Sequence, residues 1–137
     1  MDRPRVHTFA ALRFAPAAVW AGVIFAGSSI PGSRLPGGYS VVGHLGEYAI
    51  LGTLLVLALD HESVTPRAAF TALLICGAYA VSDEYHQTFV PLRTADPLDW
   101  ATDVIGSAVG ICAALFGVAV RNRRREHTRR PPDPDAR

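Results

Sequence analysis

Four apolar stretches joined by short polar links constrain this 137-residue chain more than any other feature. They cover residues 12–30, 41–59, 68–81 and 101–120. The hydrocarbon core of a bilayer requires about 20 helical residues, and the first, second and fourth stretches meet that length. The third is short, but its helix can continue through the polar residues 82–87. We therefore predict an all-α fold: a polytopic membrane helical bundle of about four transmembrane helices.

Composition agrees with this prediction. Half of the residues are hydrophobic, and only 18% are charged, compared with about 25% in soluble domains. The alternation of a membrane β-barrel is absent. Cys76 and Cys112 lie inside apolar runs without zinc-type spacing, so we interpret them as small apolar residues. The lipid bilayer is the predicted partner, and no nucleic-acid motif is present.

Turn-forming residues divide the chain. Pro- and Gly-rich or polar links cover residues 31–38, 60–66 and 91–97. We expect a cytoplasmic N-terminal segment over 1–11, a transmembrane domain over 12–120, and a disordered basic cytoplasmic tail over 121–137. The first stretch is favoured as a retained helix over a signal peptide. Its apolar run is longer than the 7–15 residues of a typical signal core, and no A-x-A cleavage site follows.

The basic residues predict an orientation. All thirteen are Arg. With four spans, eleven of them fall on the side of the N-terminus: Arg3, Arg5, Arg13, Arg67, Arg121, Arg123, Arg124, Arg125, Arg129, Arg130 and Arg137. Cytoplasmic segments carry an excess of Lys and Arg. We therefore expect a multi-pass protein of the cell membrane with both termini in the cytoplasm.

Four spans also bring polar helix ends together on the opposite, outward side. These are the end of the first helix, the start of the second, the end of the third and the start of the fourth. Ionisable residues inside a membrane are functional candidates by default. The candidate pocket therefore comprises Ser28, Ser29, His44, Glu47, Tyr48, Asp83, Glu84, Gln87, Arg93, Asp99 and Asp103.

Two helix ends leave alternatives open. His44, Glu47 and Tyr48 share one helical face at i, i+3 and i+4. They serve either a ligand or a structural hydrogen bond that fixes helix packing. Ser28 and Ser29 either join the same cluster or cap their own helix.

The third helix ends on two adjacent carboxylates, Asp83 and Glu84, which oppose the helix macrodipole. A compensating cation is implied, namely Arg93, a metal ion or a ligand. The alternative is a solvated helix end at which Arg93 is an ordinary ion-pair partner. His86 is expected to point away from Asp83, toward the membrane interface.

The fourth helix places Asp99, Asp103, Gly106 and Gly110 on one stripe. The two glycines form a Gly-x-x-x-Gly surface for close packing, so Asp103 is expected to face inward with them. Asp99 either joins the pocket or caps the helix.

These motifs resemble the VanZ-like family of membrane proteins over about residues 20–110. The resemblance rests on Ser28-Ser29-Ile30-Pro31, on His44-x-x-Glu47-Tyr48-Ala49-x-Leu51-Gly52, on Asp83-Glu84-x-His86-Gln87-x-Phe89-Val90-Pro91-x-Arg93, and on Asp99-x-x-x-Asp103-x-x-Gly106-x-x-x-Gly110. The family often has Pro-Gly-Arg where this chain has Pro91-Leu92-Arg93, which suggests a less tight loop. It also often has a Lys shortly before the His, where this chain has Val41, Val42 and Gly43.

The resemblance implies a multi-pass membrane protein, in a family named for a member that confers low-level teicoplanin resistance. The first hypothesis is an envelope protein that binds a lipid headgroup, a cell-wall precursor or a lipophilic glycopeptide, and contributes to teicoplanin-type antibiotic resistance. The second is a membrane-embedded, metal-dependent enzyme acting on a lipid-linked substrate, with His44, Glu47, Asp83 and Asp103 as candidate ligands. The third is a purely structural bundle. No cofactor is expected beyond a divalent cation, and the catalytic residues and oligomeric state stay open.

Overall fold

The structure is a computed structural model that describes residues 12–34 and 39–129. Within these residues the chain forms four α-helices and no strand: α1 (Ala15–Ser28), α2 (Tyr39–Leu59), α3 (Pro66–Gln87) and α4 (Pro97–Arg129). A single 3₁₀ turn, Gly32–Arg34, follows α1. The predicted all-α fold is confirmed. The predictions for residues 1–11, 35–38 and 130–137 lie outside the described residues.

Local sequence explains where the helices begin. Pro66 opens α3 at a position where its missing N–H costs nothing, and the Thr65 hydroxyl accepts the backbone N–H of Ala68 at 3.3 Å as an N-cap. Asp96 caps α4 in the same way, because its carboxylate accepts the N–H of Leu98 at 2.8 Å.

Two helices differ in length from the prediction. Helix α1 has 14 residues, which gives a length of about 21 Å and falls short of the 12–30 stretch. Helix α4 continues to Arg129, past residue 120, where the transmembrane domain is predicted to end. The extension is held by the α2–α3 loop. There Arg121 donates to the carbonyl of His61 at 2.6 Å and Asn122 donates to the carbonyl of Glu62 at 2.9 Å.

Helices α2 and α4 form the most extensive pair in the bundle, because glycines let their backbones approach closely. A Cβ atom added at Gly106 would lie 2.5 Å from the carbonyl oxygen of Leu45, and one at Gly110 would collide with the backbone of Ala49. Thr53 adds a hydrogen bond across the same seam, from its hydroxyl to the carbonyl of Gly110 at 2.9 Å. The predicted close-packing role of the glycine stripe is confirmed.

Helix α1 lies against α2 and α3. Trp20 Nε1 donates to the carbonyl of Glu47 at 2.8 Å, and the Tyr79 hydroxyl donates to the carbonyl of Ala21 at 2.6 Å. These hydrogen bonds link α1 to α2 and α3 and fix the position of α1 along the bundle axis.

Apolar side chains form the core of the bundle and also cover much of its outside. Large apolar side chains such as Val42 (76% exposed) and Phe116 (74%) lie on the outside, whereas Asp83 (1%) and Asp103 (0%) lie inside. Two helical segments are long and apolar enough to cross a membrane, Val41–Leu59 and Pro97–Thr128. Only 39% of each apolar window is buried in the bundle, so much of the apolar surface of both helices faces outward, as in helices that contact lipid.

Candidate functional site

The polar ends of the four helices meet at one end of the bundle. Seven polar or charged residues are buried in the part of the chain that the structure describes, and all but Ser107 are members of the predicted pocket: Ser28, His44, Asp83, Glu84, Gln87 and Asp103. They form two neighbouring groups, one between α2, α3 and α4 and the other between α1 and α3.

The first group is centred on His44 and Asp103. His44 Nδ1 lies 2.9 Å from Asp103 Oδ1, and this is the one ion-pair geometry among the described residues. Glu84 of α3 completes the group, since one ligand atom from each of the three side chains lies within 4.8 Å of the others. The second Glu84 oxygen, Oε2, accepts the backbone N–H of Asp96 at 2.8 Å. Glu84 is thereby tied to the cap of α4.

The second group links α1 to the end of α3. Asp83 Oδ2 accepts the Ser28 hydroxyl at 2.7 Å and the Gln87 amide at 3.1 Å. Ser28 therefore joins the cluster, as one of its two predicted alternatives stated. Asp83 and Gln87 lie one turn apart on α3 and contact each other, as their spacing predicts.

Arg93 donates hydrogen bonds to neutral acceptors. Its guanidinium donates to the backbone carbonyls of Ile30 (3.3 Å) and Gly27 (3.4 Å), and to the Gln87 side chain at 3.5 Å. Among the described residues, no carboxylate lies within ion-pair distance of Arg93. Of the alternatives stated for Arg93, the ordinary ion pair is not the one found among the described residues. Arg93 instead places its positive charge on backbone carbonyls at the C-terminal end of α1, where a cation is favoured by the helix dipole.

The turn that carries Arg93 is tight, despite the missing glycine. Leu92 adopts the left-handed conformation, with φ of 59°, and Gly32 donates its N–H to the carbonyl of Pro91 at 3.1 Å. A Cβ at Gly32 would collide with the Leu92 carbonyl. The expected looser loop is therefore not observed, and Leu92 is held in a conformation that glycine would adopt more easily.

The three predicted residues on α2 face different partners. His44 and Tyr48 are both buried, at 5% and 0% exposure. Glu47 is half-buried and turned toward α1, because its Oε1 would lie 3.9 Å from a Cβ at Gly27. The Tyr48 ring lies 6.1 Å from that of Tyr79.

Sequence reasoning missed one contact of His86 and left two alternatives for Asp99, of which the structure excludes one. Ser29 Oγ lies 3.0 Å from His86 Nε2, and the His86 ring stacks on Phe25 with centroids 4.3 Å apart. His86 therefore contacts α1, and its place in the Asp83-Glu84-x-His86 block was the available signal. Asp99 is not the cap of α4, because Asp96 fills that position; Asp99 lies half-buried in the first turn.

Four buried oxygens of the cluster have no hydrogen-bond partner among the described residues: Tyr48 Oη, Asp83 Oδ1, Glu84 Oε1 and Asp103 Oδ2. Buried polar atoms are nearly always satisfied in native proteins, and an unmet one costs about 1–3 kcal/mol. Water, an ion or a ligand would complete these atoms, which makes this helix junction a candidate binding site.

A cleft of about 300 Å³ opens beside this cluster. It is lined by Val81, Glu84, Ala95, Asp96, Pro97 and Trp100. Its walls are mainly apolar and Glu84 lies in its wall, so an amphiphile could reach the cluster from this side. A separate cleft at the opposite end, near Arg121 and Glu126, has none of the predicted pocket residues in its lining.

The metal-ligand candidates also change. The compact group contains His44 and Asp103, as predicted, but its third member is Glu84. Asp83 is engaged with Ser28 and Gln87, and Glu47 faces α1. Asp83 and Glu47 therefore belong to the predicted ligand set but not to the observed group. The reason is that neighbouring positions on a helix point in different directions.

The sequence matches the profile of one known protein family. A profile of the VanZ/LLP1 family matches residues 15–118, which include α1, α2, α3 and the part of α4 up to Val118. No curated protein and no solved structure matches the chain. The match spans most of the chain and every buried polar residue described above. The chain therefore belongs to the VanZ/LLP1 family of membrane proteins.

Proposed function

We propose that this protein is a multi-pass envelope protein that binds the polar head of an amphiphile on the outer side of the membrane. The amphiphile is a lipid, a lipid-linked cell-wall precursor or a lipophilic glycopeptide of the teicoplanin type. Binding of such a glycopeptide would contribute to antibiotic resistance by holding the drug away from its target. The observation that carries this proposal is the set of buried, unpartnered oxygens beside the apolar cleft at Glu84.

The chemistry of the cluster selects the ligand class. Its unpartnered atoms are three carboxylate oxygens and one phenol oxygen, so most of them accept hydrogen bonds. Sugar hydroxyls, amide N–H groups and amines would complete them. The apolar walls of the cleft, including Val81 and Trp100, would hold the adjoining hydrocarbon chain.

The proposed orientation places both termini in the cytoplasm. The excess of Arg at the N- and C-terminal side supports it. The contact of Arg121 with the α2–α3 loop supports a shared side for that loop and the end of α4. With four spans, the cluster then faces outward, where cell-wall precursors and glycopeptides are encountered.

A resistance assay tests this function. Deletion and overexpression strains are challenged with teicoplanin-type lipoglycopeptides and with vancomycin. Overexpression should protect selectively against the lipid-bearing drugs. Glu84→Gln should lose that protection at equal protein level, whereas Glu126→Gln, on the exposed far end of α4, should keep it. Equal sensitivity of all strains to both drugs would refute the role in resistance.

A membrane-embedded enzyme acting on a lipid-linked substrate is the second candidate, and the His44–Asp103 pair favours it. A carboxylate bonded to one ring nitrogen fixes the tautomer and orientation of a histidine that acts as general base. The binding protein and the enzyme can be distinguished by incubating the purified protein with lipid-linked precursors. The products are then analysed by mass spectrometry. Turnover by the wild type that His44→Gln abolishes would favour the enzyme.

A further inference from the structure

Three helices each contribute one side chain that could bind a metal, and the three side chains lie close together. His44 comes from α2, Glu84 from α3 and Asp103 from α4, and one ligand atom of each lies within 4.8 Å of the others. All three are buried, with exposures of 5%, 7% and 0%. Because they come from separate helices, their meeting is a product of the tertiary fold and is not imposed by local spacing.

The hydrogen bonds leave one oxygen of each carboxylate unused. Glu84 is held through Oε2 by the N–H of Asp96, and Asp103 is held through Oδ1 by His44. Their other oxygens, Glu84 Oε1 and Asp103 Oδ2, are buried without a partner among the described residues. A carboxylate fixed through one oxygen, with the other directed to an ion, is the usual arrangement at protein metal sites.

Charge gives an independent reason for a cation. Two carboxylates lie beside one imidazole, and no Arg forms an ion pair with either of them within the described ranges. Arg93, the nearest candidate in sequence, donates to carbonyls and to Gln87. Burying an uncompensated carboxylate is costly, and a divalent cation would neutralise both.

We propose that His44, Glu84 and Asp103 bind one divalent first-row transition-metal ion, with Zn²⁺ preferred over Mg²⁺ and Ca²⁺. Mixed nitrogen and oxygen ligands suit Zn²⁺ or Mn²⁺, whereas Mg²⁺ and Ca²⁺ take oxygen ligands. The flexible Glu84 side chain supplies the third ligand, and the cleft beside it supplies the entry path.

A bound ion would also extend the ligand range of the site, and this consequence rests on the proposed function. Bare carboxylates repel phosphate, but a cation held by them would bind it. The cluster would then accept the phosphate of a lipid-linked precursor as well as hydroxyl and amine donors.

Metal analysis of the full-length protein tests the site. The chain is purified in detergent without a polyhistidine tag, stripped with chelator, loaded with ZnCl₂ and dialysed, and its metal content is measured by mass spectrometry. We expect about one Zn²⁺ per chain, with Mn²⁺ competing and Mg²⁺ not. Glu84→Gln should weaken the affinity about tenfold or more. Glu126→Gln is the control, because Glu126 is an exposed acid on α4 outside the cluster, and this variant should retain the ion.

A second measurement uses the wild-type protein and therefore does not depend on how well the variants fold. Zn²⁺ should raise the melting temperature of the wild-type protein in a concentration-dependent way that chelator reverses. Wild-type protein that retains no Zn²⁺ or Mn²⁺ and shows no shift would overturn the proposal, as would equal binding by Glu84→Gln. No amphiphile is present in either measurement, so failure here leaves the proposed function intact. If the protein binds the ion but gives no drug protection, that result would count against the proposed function and not against the metal site.

Discussion

His44 Nδ1 lies 2.9 Å from Asp103 Oδ1, and this contact joins the start of α2 to the start of α4 inside the bundle. Glu47 was the nearer carboxylate in sequence, one helical turn from His44. The partner is nevertheless 59 residues away, because the glycines of α4 bring its backbone against α2. The close packing of the seam and the polar contact at its end therefore depend on each other.

A double-mutant cycle should measure this coupling. We expect His44→Ala and Asp103→Ala each to destabilise the bundle, because each leaves a buried polar group without its partner. Their coupling energy should be about 1 kcal/mol or more. The measurement is unfolding in detergent followed by circular dichroism. His44→Ala paired with Thr102→Ala is the control, since Thr102 bonds only within α4, and its coupling should be near zero. Equal coupling in both cycles would contradict a direct interaction.

Glycine substitutions along α4 should separate packing from helix propensity. Gly110→Ala should lower the free energy of unfolding by about 1–3 kcal/mol, because its Cβ collides with the Ala49 backbone. Gly117→Ala is the control on the same helix, where a Cβ meets nothing within 4 Å. Alanine is the better helix former, so this variant should be neutral or slightly stabilised. A similar loss in both variants would refute the close-contact explanation. Thermal unfolding in detergent provides the comparison.

Leu92→Gly should stabilise the protein by about 0.5–1 kcal/mol, because it removes the cost of a left-handed side-chain-bearing residue. Leu92 has φ of 59° and is 79% exposed, so little burial is lost. Leu98→Gly is the matched control. Leu98 is 73% exposed but lies in the first turn of α4, where glycine should destabilise by up to about 1 kcal/mol. Melting temperatures of the two variants should move in opposite directions, and a fall in both would contradict the strain at Leu92.

The α2–α3 loop should show a pH-dependent contribution from Asp60. Its carboxylate accepts the backbone N–H groups of Thr65 (3.0 Å) and Ser63 (3.2 Å) and the Ser63 hydroxyl (2.9 Å). These bonds favour the charged form and lower the pKa of Asp60 below its ordinary value. A lowered folded-state pKa means that the stabilisation is complete above the unfolded pKa of about 3.9 and is lost as the pH falls toward the folded pKa.

Asp60→Asn should therefore be less stable than the wild type at about pH 7, and the difference should shrink at about pH 3. Thermal unfolding at both pH values measures the two differences. Glu126→Gln, an exposed acid on the α4 extension, is the control and should show a small difference throughout. A difference for Asp60→Asn that stays constant with pH would argue against the charged hydrogen bonds.

Cysteine labelling should report the side of each link. With Cys76 and Cys112 replaced by alanine, single cysteines are placed at Ser33, Thr94 and His61, all of which are exposed. A membrane-impermeant maleimide should label Ser33→Cys and Thr94→Cys in intact cells, and His61→Cys only after permeabilisation. Labelling of Ser33→Cys and Thr94→Cys from opposite sides would eliminate the four-span topology and the outward pocket with it.

The sequence alone predicted four helices and their shared polar end, although not the full length of α1 and α4. Proline and capping residues define starts such as Pro66 after Thr65, and the lengths of the apolar stretches predict the helices. Short links then force alternate helix ends to the same side. The convergence of Ser28, His44, Asp83 and Asp103 follows from that connectivity, and the structure brings all four into buried hydrogen bonds.

Only the tertiary structure decided which polar groups contact each other. Asp83 and Glu84 are neighbours in sequence, yet the helix turns about 100° per residue, so Asp83 faces Ser28 of α1 and Glu84 faces the start of α4. Which of these directions meets His44 depends on how α3 is rotated against α2 and α4. That rotation is set by packing over the whole bundle, including the backbone contact at Gly110, and no local pattern in the sequence encodes it.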